Sequence, residues 1–151
     1  MAKYNKKQMG DACEMLVAAE LTLAGVPALK VPDNWPDYDL IAQPPGKDPQ
    51  RISVKSRTYK RGAAFVEYSV TQAFDWLAIV ILPAGTENRR RLFVVPRAIA
   101  DAKARRNKPT TQYANYRYWR IDEVERILAD FEQNFSLRSA DEIGKSPNPH
   151  L

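Results

Sequence analysis

Asp37, Asp39, Ser53 and Lys55 are the residues whose types and spacing could support chemistry. They lie in the stretch PDYDLIAQPPGKDPQRISVKSR, residues 36 to 57. Side chains alternate across a strand, so Asp37 and Asp39 would share one face of an apolar run, and Ser53 and Lys55 one face of the next. If the two runs pair through the breaker-rich turn PPGKDP (44–49), Asp39 and Lys55 become near neighbours. An ammonium in the middle of an apolar strand must reach solvent or an anion. Two arrangements satisfy it: a cross-strand ion pair, worth under about 1 kcal/mol when exposed, or half of a site that holds a metal ion. Asp37 has a further option, capping the turn after Pro36.

The residue counts restrict the rest. One cysteine, Cys13, excludes an internal disulfide and a thiolate-rich zinc site, and one histidine, His150, stands next to the last residue. No Ser-His-Asp triad, Cys-His pair or histidine-based metallohydrolase can be assembled from this set. Carboxylates, lysines and hydroxyls must carry any catalysis. With Lys and Arg at 23 against 18 Asp and Glu, the net charge is +5, and its distribution is uneven. Every charged residue from Arg51 to Gly62 is basic, NRRR (88–91) and KARRNK (103–108) add two clusters, and the segment from Asp122 is mostly acidic. A basic middle of this kind suits a polyanion, because phosphate neutralisation supplies most non-specific nucleic-acid affinity. A solvated surface is the other reading, with Lys55, Arg57, Lys60 and Arg61 a wet edge that discourages strand addition.

The elements that must position these groups follow from periodicity. Met9, Cys13, Leu16, Val17, Leu21 and Ala24 recur at helical spacing and predict an amphipathic helix over 4–24, closed by Gly25. Glu14 rides on it, where a solvated role is the ordinary one. Strands are predicted over 26–31, 37–42, 51–57, 63–70, 76–82 and 91–96. WLAIVIL (76–82) has the length and apolarity of a strand covered on both faces. A helix opens at Pro96, and a final amphipathic helix is predicted over 121–135 with Asp122 as N-cap. Tyr113, Tyr116, Tyr118 and Trp119 are assigned to core and sheet packing ahead of base stacking. The order implies α/β, bordering on α+β: one domain over 1–137 with a mixed central sheet flanked by helices, and a flexible tail over 138–151. No apolar run reaches the ~20 residues needed to span a bilayer. With no secretory signal visible either, a cytoplasmic protein is the expectation.

The ordered combination of a helix-borne glutamate, YDL and a strand ending in VK resembles the PD-(D/E)xK nuclease superfamily, which has the restriction-endonuclease-like fold. MGDACEMLVAAELTLAGV resembles its opening helix, with Gly10 and Glu14; PDYDLIA resembles the strand bearing the metal-binding aspartate, and ISVKSR the strand of the acid-x-lysine signature. Asp39 matches the aspartate better than Asp37 by its spacing to the lysine. The resemblance implies a metal-dependent endonuclease hydrolysing DNA phosphodiester bonds, with Mg²⁺ (or Mn²⁺) held by Asp39, Glu14 and the carbonyl of Val54. Lys55 would orient the nucleophile. Ser53 stands where the signature wants an acid, and Glu14 or Asp37 could supply the missing carboxylate, or Glu67 could swing in from the following strand. Arg57, Lys60, Arg61, Arg89 and Arg90 would contact DNA phosphates. Cutting both strands commonly needs two sites, which favours a homodimer. The alternative on the same fold is a catalytically degenerate nucleic-acid-binding or protein-interaction module.

Overall fold

Trp76–Leu82 is buried along its whole length, so material must cover both of its faces, and the fold is arranged around that requirement. The computed structural model describes residues 3–59, 64–84 and 89–145. In chain order the elements are α1 (Lys6–Leu23), β1 (Ala28–Lys30), β2 (Leu40–Ala42), β3 (Gln50–Thr58), β4 (Phe65–Ser69), β5 (Trp76–Leu82), β6 (Arg91–Pro96), α2 (Arg97–Lys103), β7 (Arg105–Arg106), β8 (Tyr116–Arg120), α3 (Ile121–Ile127), a 3-10 turn (Ala129–Phe131) and α4 (Ala140–Lys145). The central sheet has the order β1-β2-β3-β5-β6. It is antiparallel except for the parallel pair β3–β5, and so is mixed, as the sequence predicts. A second, antiparallel sheet has the order β4-β8-β7.

The two faces of β5 belong to different cores. Ala78 and Val80 face α1, whose Cys13, Val17 and Leu21 pack with Leu40, Ile52 and Val94. Leu77, Ile79 and Ile81 face the second sheet and α3, through Val66, Tyr68, Trp119, Ile121, Val124 and Leu128. α1 starts with a reciprocal cap between Asn5 and Gln8 and stops before Gly25, whose φ of 96° suits glycine.

Several elements depart from expectation for identifiable reasons. The strand predicted over 37–42 shrinks to Leu40–Ala42. Asp37 has φ 73° at the centre of a γ-turn, with the Tyr38 N–H donating to the Pro36 carbonyl at 2.9 Å, so Asp37 and Asp39 do not share a strand face. The helix predicted over 121–135 ends at Ile127, and its N-cap is Arg120 rather than Asp122. Its continuation turns instead to the outer edge of β6. There the Gln133 N–H donates to the Leu92 carbonyl and the Asn134 amide to the Val94 carbonyl, satisfying an edge that would otherwise be bare. Of the four aromatics assigned to packing, Trp119 is buried, but Tyr113 and Tyr116 are 55% and 39% exposed. α4 falls within the stretch expected to be a tail.

Candidate functional site

The site is built where β2 parts from β3. β2 pairs with β3 only from Gln50 to Ile52, and beyond that no strand among the described residues pairs with β3 on the same side, whereas β5 follows it to Thr58. The amides of that edge need partners, and Asp39 supplies one. Its carboxylate Oδ2 accepts from the Val54 N–H at 2.7 Å, and its own backbone N–H donates to the Ile52 carbonyl at 2.9 Å. Two bonds on either side of Ser53 therefore fix an acid at the head of the fork. Oδ1 accepts no hydrogen bond among the described residues.

Glu14 approaches from α1. It lines, with Asp39, a cavity of about 170 Å³. The carboxyl is half-buried and makes no hydrogen bond among the described residues. Burial pushes its pKa up to about 7, and the negative charge of Asp39 adds to the shift, against a smaller opposing effect of Lys30. Lys55 reaches the fork from β3. It pairs in register with Ile79 and Ser53 with Leu77, so the two share a strand face as expected. Burial pushes the Lys55 ammonium below its ordinary range and Arg57 adds to that, while Asp39 and Glu67 pull the other way. Glu14, Asp39 and Lys55 are thus coupled through Asp39, which lies within electrostatic reach of both.

The remaining candidates are placed differently. Ser53 is buried, 1% exposed, and adds no charge to the fork. The Val54 amide, rather than its carbonyl, is the group that meets Asp39. Asp37 is exposed in its turn and does not line the cavity. Glu67 is exposed on β4 and acts on Lys55 by charge. Arg57 is half-buried, its guanidinium donating to the carbonyls of Phe65 and Ser56. Arg89 and Arg90 are exposed, whereas Arg91 pairs with Glu125 and Glu132 at 2.7 Å each. Lys60 and Arg61 lie outside the described residues.

The same cavity is lined by Lys7, Asp11 and Asp33, three members of a quartet that the sequence reading missed and that Lys30 completes. Lys7 Nζ lies 3.2 Å from Asp11 and 3.0 Å from Asp33, and Lys30 Nζ lies 3.1 Å from each. These hydrogen-bonded lysines hold both aspartates below the usual carboxylate range. A signal was present: Lys7, Asp11 and Glu14 fall at i, i+4 and i+7, a polar ridge opposite the apolar stripe of α1.

A resident divalent ion can be tested against this donor set. Among the described residues no group of three or more His, Cys, Asp and Glu side chains could hold a metal. Mg²⁺ nevertheless binds through one or two carboxylates, keeping waters and taking substrate phosphates as further ligands. The Glu14–Asp39 pair, one acid clamped with a free oxygen and the other desolvated without a partner, fits that mode. It does not fit a closed all-protein cage.

No family model and no curated protein matches the chain. Among solved structures it is similar to the bacterial homing endonuclease I-Ssp6803I, at 16% identity and a TM-score of 0.57, over 93% of this chain and 95% of that one. A weaker likeness, TM-score 0.45 at 16% identity over 76% of this chain and 90% of the other, is to the Holliday junction resolvase Hjc of Archaeoglobus fulgidus, and nothing further rests on it. The mixed sheet with flanking helices is the restriction-endonuclease-like fold. Among the described residues no helix is long and apolar enough to cross a membrane.

Proposed function

We propose that this restriction-endonuclease-like chain is a metal-dependent endonuclease that hydrolyses DNA phosphodiester bonds. The observation that supports the reading is the electrostatic coupling of Glu14 and of Lys55 to Asp39 at the fork, with Glu14 and Lys55 both held away from their ordinary pKa by burial. Perturbed, unpaired titratable groups in a cavity mark functional sites more often than structural ones. Asp39 and Glu14, with the carbonyl of Val54, would hold Mg²⁺ or Mn²⁺. The ion, when bound, supplies Lewis acidity toward the phosphodiester and lowers the pKa of water. Lys55 orients the nucleophile and stabilises negative charge growing on phosphorus oxygens, an effect strengthened by its partial burial. With its pKa raised to about 7 by burial, Glu14 would bind a cation in competition with a proton near neutrality. Ser53 contributes a neutral hydroxyl beside Lys55, leaving the charge of the site to the other two acids, with Asp37 and Glu67 as secondary carboxylates. Arg57, Lys60, Arg61, Arg89 and Arg90 contact phosphates and position the strand without reading its sequence. A homodimer would bring two such sites to the two strands.

One observation favours a second reading, a module that binds nucleic acid or a protein without cutting: the signature acid is replaced by a buried serine. Supercoiled plasmid separates them. The nuclease nicks or linearises it with Mg²⁺ or Mn²⁺, and Lys55→Ala lowers the rate by about a hundred- to a thousandfold, as loss of an electrostatic catalytic group does. Failure of the wild-type protein to cleave under either ion, with DNA affinity that still falls steeply as salt rises, would leave the binding module.

A further inference from the structure

The second sheet has one face in the core and one in solvent, and the solvent face has an unusual composition. Val66, Tyr68 and Trp119 point inward and are buried. Alternation turns Phe65, Glu67, Tyr116 and Tyr118 the other way, with Glu67 paired in register to Tyr118. Phe65, Tyr113 and Tyr116 are 42%, 55% and 39% exposed. These side chains and Asn107 line a concavity of about 400 Å³. Its rings meet as a T-shaped pair, Phe65 with Tyr118 at 5.7 Å, and a tilted pair, Tyr113 with Tyr116 at 6.3 Å, so neither pair is stacked face to face and ring faces stay open. The one charged group offered is an acceptor, beside tyrosine hydroxyls that can donate or accept. Asn107 uses its amide N–H on the Tyr113 carbonyl, leaving its oxygen, and the Glu67 carboxylate takes no hydrogen bond among the described residues.

From this geometry we infer that the concavity of Phe65, Glu67, Asn107, Tyr113, Tyr116 and Tyr118 binds one unpaired nucleobase with amino hydrogens on its Watson–Crick edge, guanine best. The inference deepens the proposed nuclease function and rests on it for the orientation of the strand. Flat apolar walls suit a π-face, and unpaired bases are held by stacking on such rings. Acceptors at the rim demand donors: guanine offers N1–H and N2–H side by side to a carboxylate, whereas thymine offers only N3–H. Charge around the concavity is complementary to a phosphate backbone. Lys108, next to Asn107, is exposed and enters no ion pair among the described residues, whereas Arg106, in register with Arg117, lies on the other face of the edge strand. On the other side the Arg57 guanidinium donates to the Phe65 carbonyl, and the charge of Glu67 reaches Lys55. A strand with a phosphate against Lys55 and Arg57 thus has a base socket beside it. A base stacked inside a duplex cannot enter, so the socket selects substrates with an unpaired nucleotide near the fork.

The test uses the full chain in EDTA, so that cleavage does not interfere, and measures fluorescence anisotropy with oligo-dT, oligo-dT carrying one central dG, and a fully paired duplex of the same length. The wild-type protein should bind the dG strand several-fold more tightly than oligo-dT. Tyr113→Ala with Tyr116→Ala should weaken single-strand binding about tenfold, towards the lower end of what one stacked base contributes, and change duplex binding less than about twofold. Glu67→Gln should erase the preference for dG. All three side chains are exposed, and circular dichroism confirms that the variants fold. Unchanged single-strand binding in the double variant overturns the inference. So does a wild-type dimer that dissociates in the double variant on sedimentation, because the face would then cover a second copy. The two readings fail separately: absence of cleavage with a persistent dG preference removes only the nuclease, and cleavage with no effect of the aromatic substitutions removes only the socket.

Discussion

Two clusters of the same residue types, in opposite states, share one small cavity lined by Lys7, Asp11 and Asp33 of the first and by Glu14 and Asp39 of the second. Lys7, Asp11, Lys30 and Asp33 are mutually paired at 3.0 to 3.2 Å, each lysine bridging both aspartates. Glu14, Asp39 and Lys55 are coupled by charge, yet the first and last make no ion pair among the described residues. The difference follows from solvent. The quartet sits at the rim, where water has already stabilised each charge and pairing adds little. The trio sits where β2 leaves β3, partly out of water, and there an unpaired acid holds its proton while an unpaired ammonium loses some of its hold. A rim of satisfied ion pairs thus fixes the turn after β1, and the groups free to act on something else lie deeper.

The largest effect should come from adding a charge where the deeper cluster lacks one. Ser53→Asp, in the absence of metal at pH 8, should destabilise the fold by about 2–4 kcal/mol, the effective cost of an unpaired buried carboxylate. Mn²⁺ should restore part of that loss. Denaturation with and without the ion measures both, and indifference to the substitution would mean that position 53 opens to water. A smaller effect is expected for Glu14→Gln. Folded Glu14 binds its proton more tightly than the unfolded chain, so its contribution to stability is fully present below pH 4.5 and is lost as pH rises through about 7. The glutamine variant, compared with wild type, should therefore gain stability between pH 5 and pH 8, by about 1–2 kcal/mol after screening. An identical pH dependence in both proteins would remove Glu14 from the desolvated group. The smallest effect is expected at the rim: Lys7→Ala should leave the melting temperature unchanged in 0.15 M salt, where exposed ion pairs are screened. A fall of several degrees would overturn the contrast between rim and fork.

Much of the frame is legible from local pattern. The apolar stripe of α1, the alternation of β3 and the unbroken run of β5 each contain their own period, and the turn at 44–49 dictates that β2 and β3 pair. Asp39 and Lys55 follow from that pairing. What local pattern does not encode is competition between distant segments. The chain after Ile127 is helical by periodicity but pairs with the bare edge of β6, a strand more than thirty residues earlier. β7 is two residues long and exists only because β8 lies beside it. The outward face of Tyr113 and Tyr116 could not be read either, because an aromatic run looks alike whether it is buried or open. The quartet joins two segments through side-chain reach, and half of it was present as spacing along α1.

The early end of β2 has a consequence for how this fold can vary. Depth in the pocket is set by how far one short ladder runs, and not by any residue inside the pocket. An insertion before Leu40 that added a single further rung would fill the gap with backbone, give Val54 a carbonyl partner and push Asp39 outward. Every acid and lysine would survive such a change in sequence, and the pocket at the fork would be shut.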